Sequence, residues 1–290
     1  MRRRAIDKLI VLLTATKKHN INIVETNRIL TNKTIKGIYV RVHSLIQLNA
    51  LIDQDIKGYY FPLSKHLDEA IQLAKKHQKK VIPFINFLNN EKQLMNFKNS
   101  NSYQEIDEIL VGDYGALKIF NDKKCILDTT FNLYNSYALE HFKDYNAILS
   151  LEMSKKQINN LTNISQNITM IAYGKTINMH VKHCLISEHY FKRKKIGCNK
   201  CKEGNYKLVD RKGEKFEIQT DELCNNLIYN NHCIYIKNLD TLKVDYILLS
   251  FLNEDAKTVK FIFEEFKHIL SDENRQIPAF IKHTSGYYND

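Results

Sequence analysis

Short apolar runs rich in Ile, Val, Leu, Tyr and Phe recur along the chain at fairly even intervals: GIYVRV at 37–42, GYYFPL at 58–63, KKVIPFI at 79–85, EILVGD at 108–113, KKCILD at 123–128, NAILSLE at 146–152, ITMIAYG at 168–174 and VDYILLSF at 244–251. Each has the length of a strand. Between them the apolar period lengthens to that of a helix. In KHLDEAIQLAKKH, at 65–77, Leu67, Ala70, Ile71 and Ala74 stand at i, i+3, i+4 and i+7 and share one helix face. A last segment repeats this with Val259, Ile262, Phe263, Phe266, Ile269 and Leu270, and Asn253 is placed to cap it. Strand then helix, eight times over, predicts an α/β fold, a (β/α)8 TIM-like barrel over 37–290.

Strand starts lie about 15 to 29 residues apart, with one exception: roughly 70 residues separate ITMIAYG from VDYILLSF. This is read as a cysteine-rich insertion at 175–235, after strand seven. It holds Cys184, Cys198, Cys201 and Cys224, and also YKLVDRKGEKFEIQ, two alternating runs around Lys212-Gly213 that predict a β-hairpin. An insertion leaving strand seven would stand over the C-terminal face of a barrel, where barrel enzymes build their sites.

Composition adds little about fold and something about partners. With 43% hydrophobic residues, nine glycines and three prolines in 290 residues, the chain can bury a core and shows no low-complexity linker. A formal charge of +11 suits a polyanionic partner. Lysine outnumbers arginine 35 to 8, however, and lysine brings charge without bidentate phosphate geometry, so clustering matters more than the sum. FKRKKIGCNKCK gathers Lys192, Arg193, Lys194, Lys195, Lys200 and Lys202 beside Tyr190 and Phe191. Such a surface would neutralise phosphates and stack bases of RNA, although a solvated loop has the same composition. The start, MRRRAIDKLIVLLTATKK, is continuously apolar only over Leu9 to Leu13, and no segment approaches the roughly 18 to 20 apolar residues of a membrane span. A cytoplasmic protein is expected, and in that reducing compartment six cysteines are ligands or core thiols rather than disulfides.

Cys198 and Cys201 form a CxxC step, with Cys184 before it and Cys224 after. Four thiolates satisfy tetrahedral zinc and a four-iron four-sulfur cluster alike, so the spacing leaves the metal open. His180 and His183 would be surplus ligands, and Cys125 and Cys233 lie in strands as core thiols. Polar residues end several strands: Arg41 and His43, Asn86, Asp113, Asp128, Glu152 and Tyr173. Side chains there converge on the barrel mouth, where Arg41 can hold an anion and Asp128 or Glu152 can act as acid or base. Asn132 and Asn135, in DTTFNLYN, face either a ligand or a helix end.

LVGDYGALKIF, ILDTTFNLYNSYAL, ILSLEMS, AYGKTINMHVKHC, GCNKC, YKLVDRKGEKFEIQTDELC and IYN, in that order, resemble the barrel of the collagenase-like peptidase family U32. The likeness is greatest to the second half of its long members and runs from about Ile38 onward, and RRRAIDKLI is similar to the helical lead-in of that half, so the resemblance implies a helical lead-in at 1–36. The resemblance implies a barrel with a cluster held by Cys184, Cys198, Cys201 and Cys224. It also implies one of several activities: proteolysis, prephenate-dependent 5-hydroxylation of a pyrimidine in tRNA or rRNA, or support of oxygen-independent hydroxylation in ubiquinone synthesis. A separate first-half barrel is an implied partner subunit. The peptidase signature keeps its Gly as Gly174, but Thr169, Ile171 and Ile177 stand where it has Glu, Phe and Cys. The expectation is therefore an iron-sulfur-dependent, oxygen-independent hydroxylase or hydroxylase subunit acting on RNA. The alternatives are a metal-dependent collagenase-like peptidase and a non-catalytic, zinc-stapled partner subunit.

Overall fold

The computed structural model describes residues 2–15, 27–221, 223–271 and 277–289. Eight parallel strands close on themselves: β1 (Ile38–Arg41), β2 (Gly58–Pro62), β3 (Val81–Ile85), β4 (Glu108–Val111), β5 (Lys124–Leu127), β6 (Asn146–Ile148), β7 (Ile168–Val181) and, after three strands of a different kind, β11 (Tyr246–Ser250). Closure comes from β11, which pairs in parallel with β1 on one side and β7 on the other. This is the (β/α)8 barrel that the apolar pattern predicts.

Alternation along each strand explains the two cores. Tyr60, Ile82, Phe84, Leu110, Ile126, Ile148, Ile171 and Leu248 point inward and fill the barrel, with Tyr39 packed against them. The intervening residues, Val40, Tyr59, Ile85, Ile109, Leu127, Ala147 and Leu249 among them, point outward to the helices. Those helices include α2 (Leu45–Leu51), α3 (Leu67–Lys76), α4 (Glu91–Lys98), α5 (Asn101–Gln104), α6 (Tyr114–Ile119), α7 (Ser136–His141), α8 (Lys155–Asn159) and, after the later α9, α10 (Ala256–Leu270). In α3 the buried residues are Leu67, Ala70, Ile71 and Ala74, the face predicted. The cap of α10 differs from expectation. Its N-cap is Asp255, whose carboxylate accepts from Thr258 N, because Asn253 is two residues too early and spends its amide on Glu217 and Gln219 instead.

Of the helical lead-in at 1–36, residues 1 and 16–26 lie outside the described residues. The first helix, α1 (Arg2–Thr14), exposes Ile6, Leu9, Ile10, Val11, Leu12 and Leu13. Residues 27–36 are not helical and lie along the lower rim, where Thr31 N–H donates to Leu161 O and the ammonium groups of Lys33 and Lys36 each stand 2.7 Å from the buried carboxylate of Asp245.

Strand seven is longer than its apolar core suggests, running past Gly174 to Val181. Residues 175–181 leave the barrel and pair antiparallel with β10 (Asn226–Tyr235), which continues to β9 (Lys215–Thr220) and β8 (Tyr206–Val209). The β8–β9 pair is the hairpin expected around Lys212-Gly213, and Gly213 takes φ +80° at its turn. Between β7 and β8 lie α9 (Leu185–Phe191) and a short 3-10 turn at Lys200–Lys202, while β12 (His283–Thr284) pairs with the far side of β10. Gly174 is the pivot of this departure. It holds φ +132°, and a Cβ there would stand 2.3 Å from the carbonyl oxygen of Ser250 on β11, so only glycine fits.

Candidate functional site

The inward alternation that places Tyr39 and Ile126 in the barrel places Arg41 and Asp128 one layer higher, at its mouth. They meet there: Arg41 Nη2 donates to both carboxylate oxygens of Asp128 at 2.9 Å, with side chains only 11% and 12% exposed. Asp128 also accepts from Thr129 N–H at 2.8 Å, which fixes its orientation. The guanidinium lies 5.2 Å from the Phe84 ring centre and 5.9 Å from that of Tyr60. Its Nε is buried with no hydrogen-bond partner, and Nη1 has none among the described residues. A buried guanidinium with donors unfilled is suited to an anionic or carbonyl oxygen, since leaving such a donor unmatched costs about 1–3 kcal/mol.

The other two expected acid or ligand residues do not join this pair. Asn132 sits in the left-handed conformation, φ 49°, and its Oδ1 accepts from Ser150 Oγ at 2.5 Å. Glu152 is exposed, and its side chain has no partner among the described residues. Asn135 caps α7 and Asp113 caps α6, while Asn89 Nδ2 donates to Asp113.

Next to the charge pair is a cavity of about 570 Å³. His43, Gln47 of α2, Phe84 of β3 and Asn86 form part of its wall, the stretch after β11 supplies Asn253 and Glu254, and Thr220 at the end of β9, Asp221 after it and Tyr229 of β10 close it. Arg41 and Asp128 are not in its lining. They lie behind Phe84 and Tyr229, near enough for both charges to act on the Tyr229 hydroxyl. Burial raises the pKa of that hydroxyl first of all, so Tyr229 is a neutral phenol.

Two titratable groups in the wall are set by their surroundings. His43 is half-buried as a residue, but its ring is enclosed, and burial lowers its pKa to about 4. Nδ1 lies 2.8 Å from Phe251 O, an acceptor, so Nδ1 carries the proton and Nε2 is a lone-pair acceptor. Glu254 accepts from Leu252 N–H at 2.6 Å and from the Tyr173 hydroxyl at 3.0 Å. Burial nevertheless raises its pKa, against those hydrogen bonds. A carboxyl held toward its neutral form at a cavity wall is an acid–base candidate. Its signal in the sequence is its place just beyond the eighth strand, LLSFLNED.

The four cysteines of the GCNKC region lie beside this wall. Cys184 caps α9, its sulfur accepting from Ser187 N–H at 3.4 Å. Cys201 lies near Thr220, a cavity residue, and Cys224 N–H donates to the carbonyl of Asp221, another. Burial raises the pKa of Cys201, and the charges of Cys224, Cys184 and Cys198 all reach it. All six cysteines are free thiols, and Cys125 and Cys233 are buried in strands. Among the described residues no three His, Cys, Asp or Glu side chains stand close enough together to hold a metal ion. As free thiols Cys184, Cys198, Cys201 and Cys224 are the donor type of a thiolate-bound centre, but they do not stand at ligand spacing in this structure.

The basic segment is partly self-satisfied. Lys194 Nζ donates to Lys182 O, Lys200 Nζ pairs with Glu203 at 2.8 Å, Lys202 Nζ donates to Asn199, and Lys195 Nζ stands 4.6 Å from the Phe191 ring centre. Lys192 and Arg193 are exposed, with no side-chain partner among the described residues.

Comparison with known proteins gives one strong result. Two solved structures resemble the chain weakly: a Streptomyces avermitilis protein described as an orotidine 5'-phosphate decarboxylase (9% identity, TM-score 0.32, covering 46% of this chain and 70% of that one), and an uncharacterized B. cereus protein (12% identity, TM-score 0.37, covering 83% and 66%). Comparison with curated proteins finds no match. The profile of peptidase family U32 matches residues 60–274, from β2 through α10 and across the cysteine-bearing segment, and the chain therefore belongs to peptidase family U32.

Proposed function

We propose that this U32 protein is an iron-sulfur-dependent, oxygen-independent hydroxylase, or a subunit of one, acting on RNA. The reading is supported by the U32 family and by four free cysteines, Cys184, Cys198, Cys201 and Cys224, carried on the segment beside the mouth cavity. These four would hold the cluster, which would carry the two electrons released when C–H and water become C–OH and two protons, toward an organic co-substrate. The chain's own groups suit the rest of the task. Arg41, held by Asp128 behind the cavity wall, keeps donors without a protein partner; Glu254 can take or give a proton; His43 and the side-chain amide of Asn86 can orient a polar ring. Lys192 and Arg193 would meet phosphate.

Proteolysis is the weaker reading. Thr169, where the peptidase signature has Glu, is buried on the inward side of β7, and Ile171 belongs to the barrel filling, so neither position offers an acid to the mouth.

Anaerobic purification followed by iron, sulfide and zinc analysis is the test. Iron and sulfide with a thiolate-to-iron charge-transfer band, lost on replacing Cys201 with Ser, is the expected result. Zinc alone would make the segment a structural staple, and neither metal would end the hydroxylase reading.

A further inference from the structure

The barrel makes no use of the first helix. From Arg3 to Thr14 every residue of α1 is exposed, and Ile6, Leu9, Ile10, Leu12 and Leu13 each have more than half of their surface in solvent. Its side-chain hydrogen bond, from Thr14 Oγ1 to Ile10 O, is internal to the helix. At about 100° per residue, Ala5, Ile6, Leu9, Ile10, Leu12 and Leu13 fall within one arc of roughly 160°. Of the other side chains from Arg3 to Thr14, Arg3, Arg4, Asp7, Lys8 and Thr14 fill the remaining arc together with Val11. Arg3 and Lys8 stand at the two borders of the apolar arc, and neither they nor Arg4 have an ion-pair partner among the described residues.

A contiguous apolar stripe is driven out of water, and the cations beside it narrow what can cover it. A second copy of α1 fits poorly. Thirteen residues make a helix about 20 Å long, whose stripe buries a few hundred Å² at most, well under the roughly 800 Å² per partner of a stable interface. RNA would meet Arg3, Arg4 and Lys8 but leave the stripe in water. A surface with negative headgroups over an apolar interior answers both faces at once. The long stems of Arg3 and Lys8 can lie along the apolar border while their charged ends reach the headgroups.

We propose that α1 is an interfacial helix that docks this protein on a membrane surface carrying anionic phospholipid, its axis in the plane of the headgroups and its Leu9 and Leu13 face inward. It lies on the bilayer and does not cross it: about 20 Å is short of the roughly 30 Å hydrocarbon core, and no helix among the described residues is long and apolar enough to span one. The proposal goes beyond the hydroxylase reading and does not depend on it.

Co-sedimentation of the full chain with phosphatidylcholine vesicles, made with and without phosphatidylserine, tests this. Strong binding is expected only with phosphatidylserine, weakening as salt rises. Each cation at the surface contributes roughly fivefold, so the triple change Arg3→Gln, Arg4→Gln and Lys8→Gln should lower the partition coefficient on the order of a hundredfold. Leu9→Ser with Leu13→Ser should lower it at least about tenfold at unchanged charge. Both variants should keep the wild-type urea midpoint, because the side chains they alter are exposed. Vesicle binding that survives the leucine changes would be mere adsorption of a chain of net charge +11, and would overturn the proposal, as would no binding at all. A monomer–dimer equilibrium that the leucine changes abolish in the absence of lipid would give the face to a second copy. An RNA mobility shift lost in the glutamine variant, without vesicle binding, would give the cations to RNA. Either result overturns the assignment to lipid.

Discussion

Breaking the ion pair at the barrel mouth should show how closely Arg41 and Asp128 depend on each other. Nη2 stands 2.9 Å from each carboxylate oxygen, with about nine-tenths of both side chains out of solvent. At an effective dielectric of about 20, charges about 4 Å apart attract by roughly 4 kcal/mol. Desolvation of the two ions offsets most of that, so the pair contributes little net stability. Removing one partner is different, because the other is left charged and buried. Asp128→Asn, which preserves an acceptor for Thr129 N–H, should cost about 3 kcal/mol, and Arg41→Met a similar amount. The double variant should be less destabilised than the sum of the two by about 2 kcal/mol, since it strands no charge. Urea denaturation of the four proteins, with m held constant, gives the cycle directly. A coupling below about 0.5 kcal/mol, the level found between independent sites, would refute the view that the two charges form one buried unit.

Two further outcomes follow from the geometry. Gly174→Ala should destabilise by at least about 3 kcal/mol, because the new Cβ meets the Ser250 carbonyl at 2.3 Å and φ is +132°; Gly213→Ala, at φ +80° with nothing within 4 Å, should cost only about 1 kcal/mol, and equal costs in urea titrations would sink the comparison. His43 is neutral in the folded state with its pKa lowered to about 4, whereas the unfolded imidazole takes a proton near pH 6.5. Its contribution is therefore fully present above about pH 6.5 and is lost as pH falls toward 4, a total on the order of 3 kcal/mol. The slope of stability against pH in that window should flatten in His43→Asn, and an unchanged slope would assign it to other groups.

The barrel is legible in the sequence because each of its eight strands carries its own apolar signal, and strand pairing in order needs no long-range information. Arg41 and Asp128 are legible for a related reason: period-two alternation carries the inward direction of Tyr39 and Ile126 one layer up. What joins them is not local, since 87 residues separate the two. The cavity wall is less legible. Thr220, Asp221 and Tyr229 reach it through the β7–β10 pairing, whose register shifts between Ile228 and Tyr229 and again between Tyr229 and Cys233, so alternation alone cannot say which side of β10 faces inward. Residues 175–181 are half-exposed and fall within what the sequence marks as the insertion, so their role as an extension of β7 shows only once β10 pairs with them.

Gly174 separates what the U32 pattern keeps here from what it loses. The glycine is an architectural requirement: without it β7 could not pass under Ser250 and turn out of the barrel to meet β10, and the cysteine-bearing segment would lose its seat beside the mouth. Thr169 and Ile171 lie inside the barrel below that pivot, where a Glu would be a buried charge needing its own partner. Thr at this position puts no charge in the barrel interior and leaves the seat intact. The charged chemistry that remains stands higher, in the Arg41–Asp128 pair and in Glu254, on the level of the cavity that the β9–β10 connection closes. In the proposed reading, the working part of the molecule is therefore the junction between barrel and thiol-bearing sheet rather than the barrel interior.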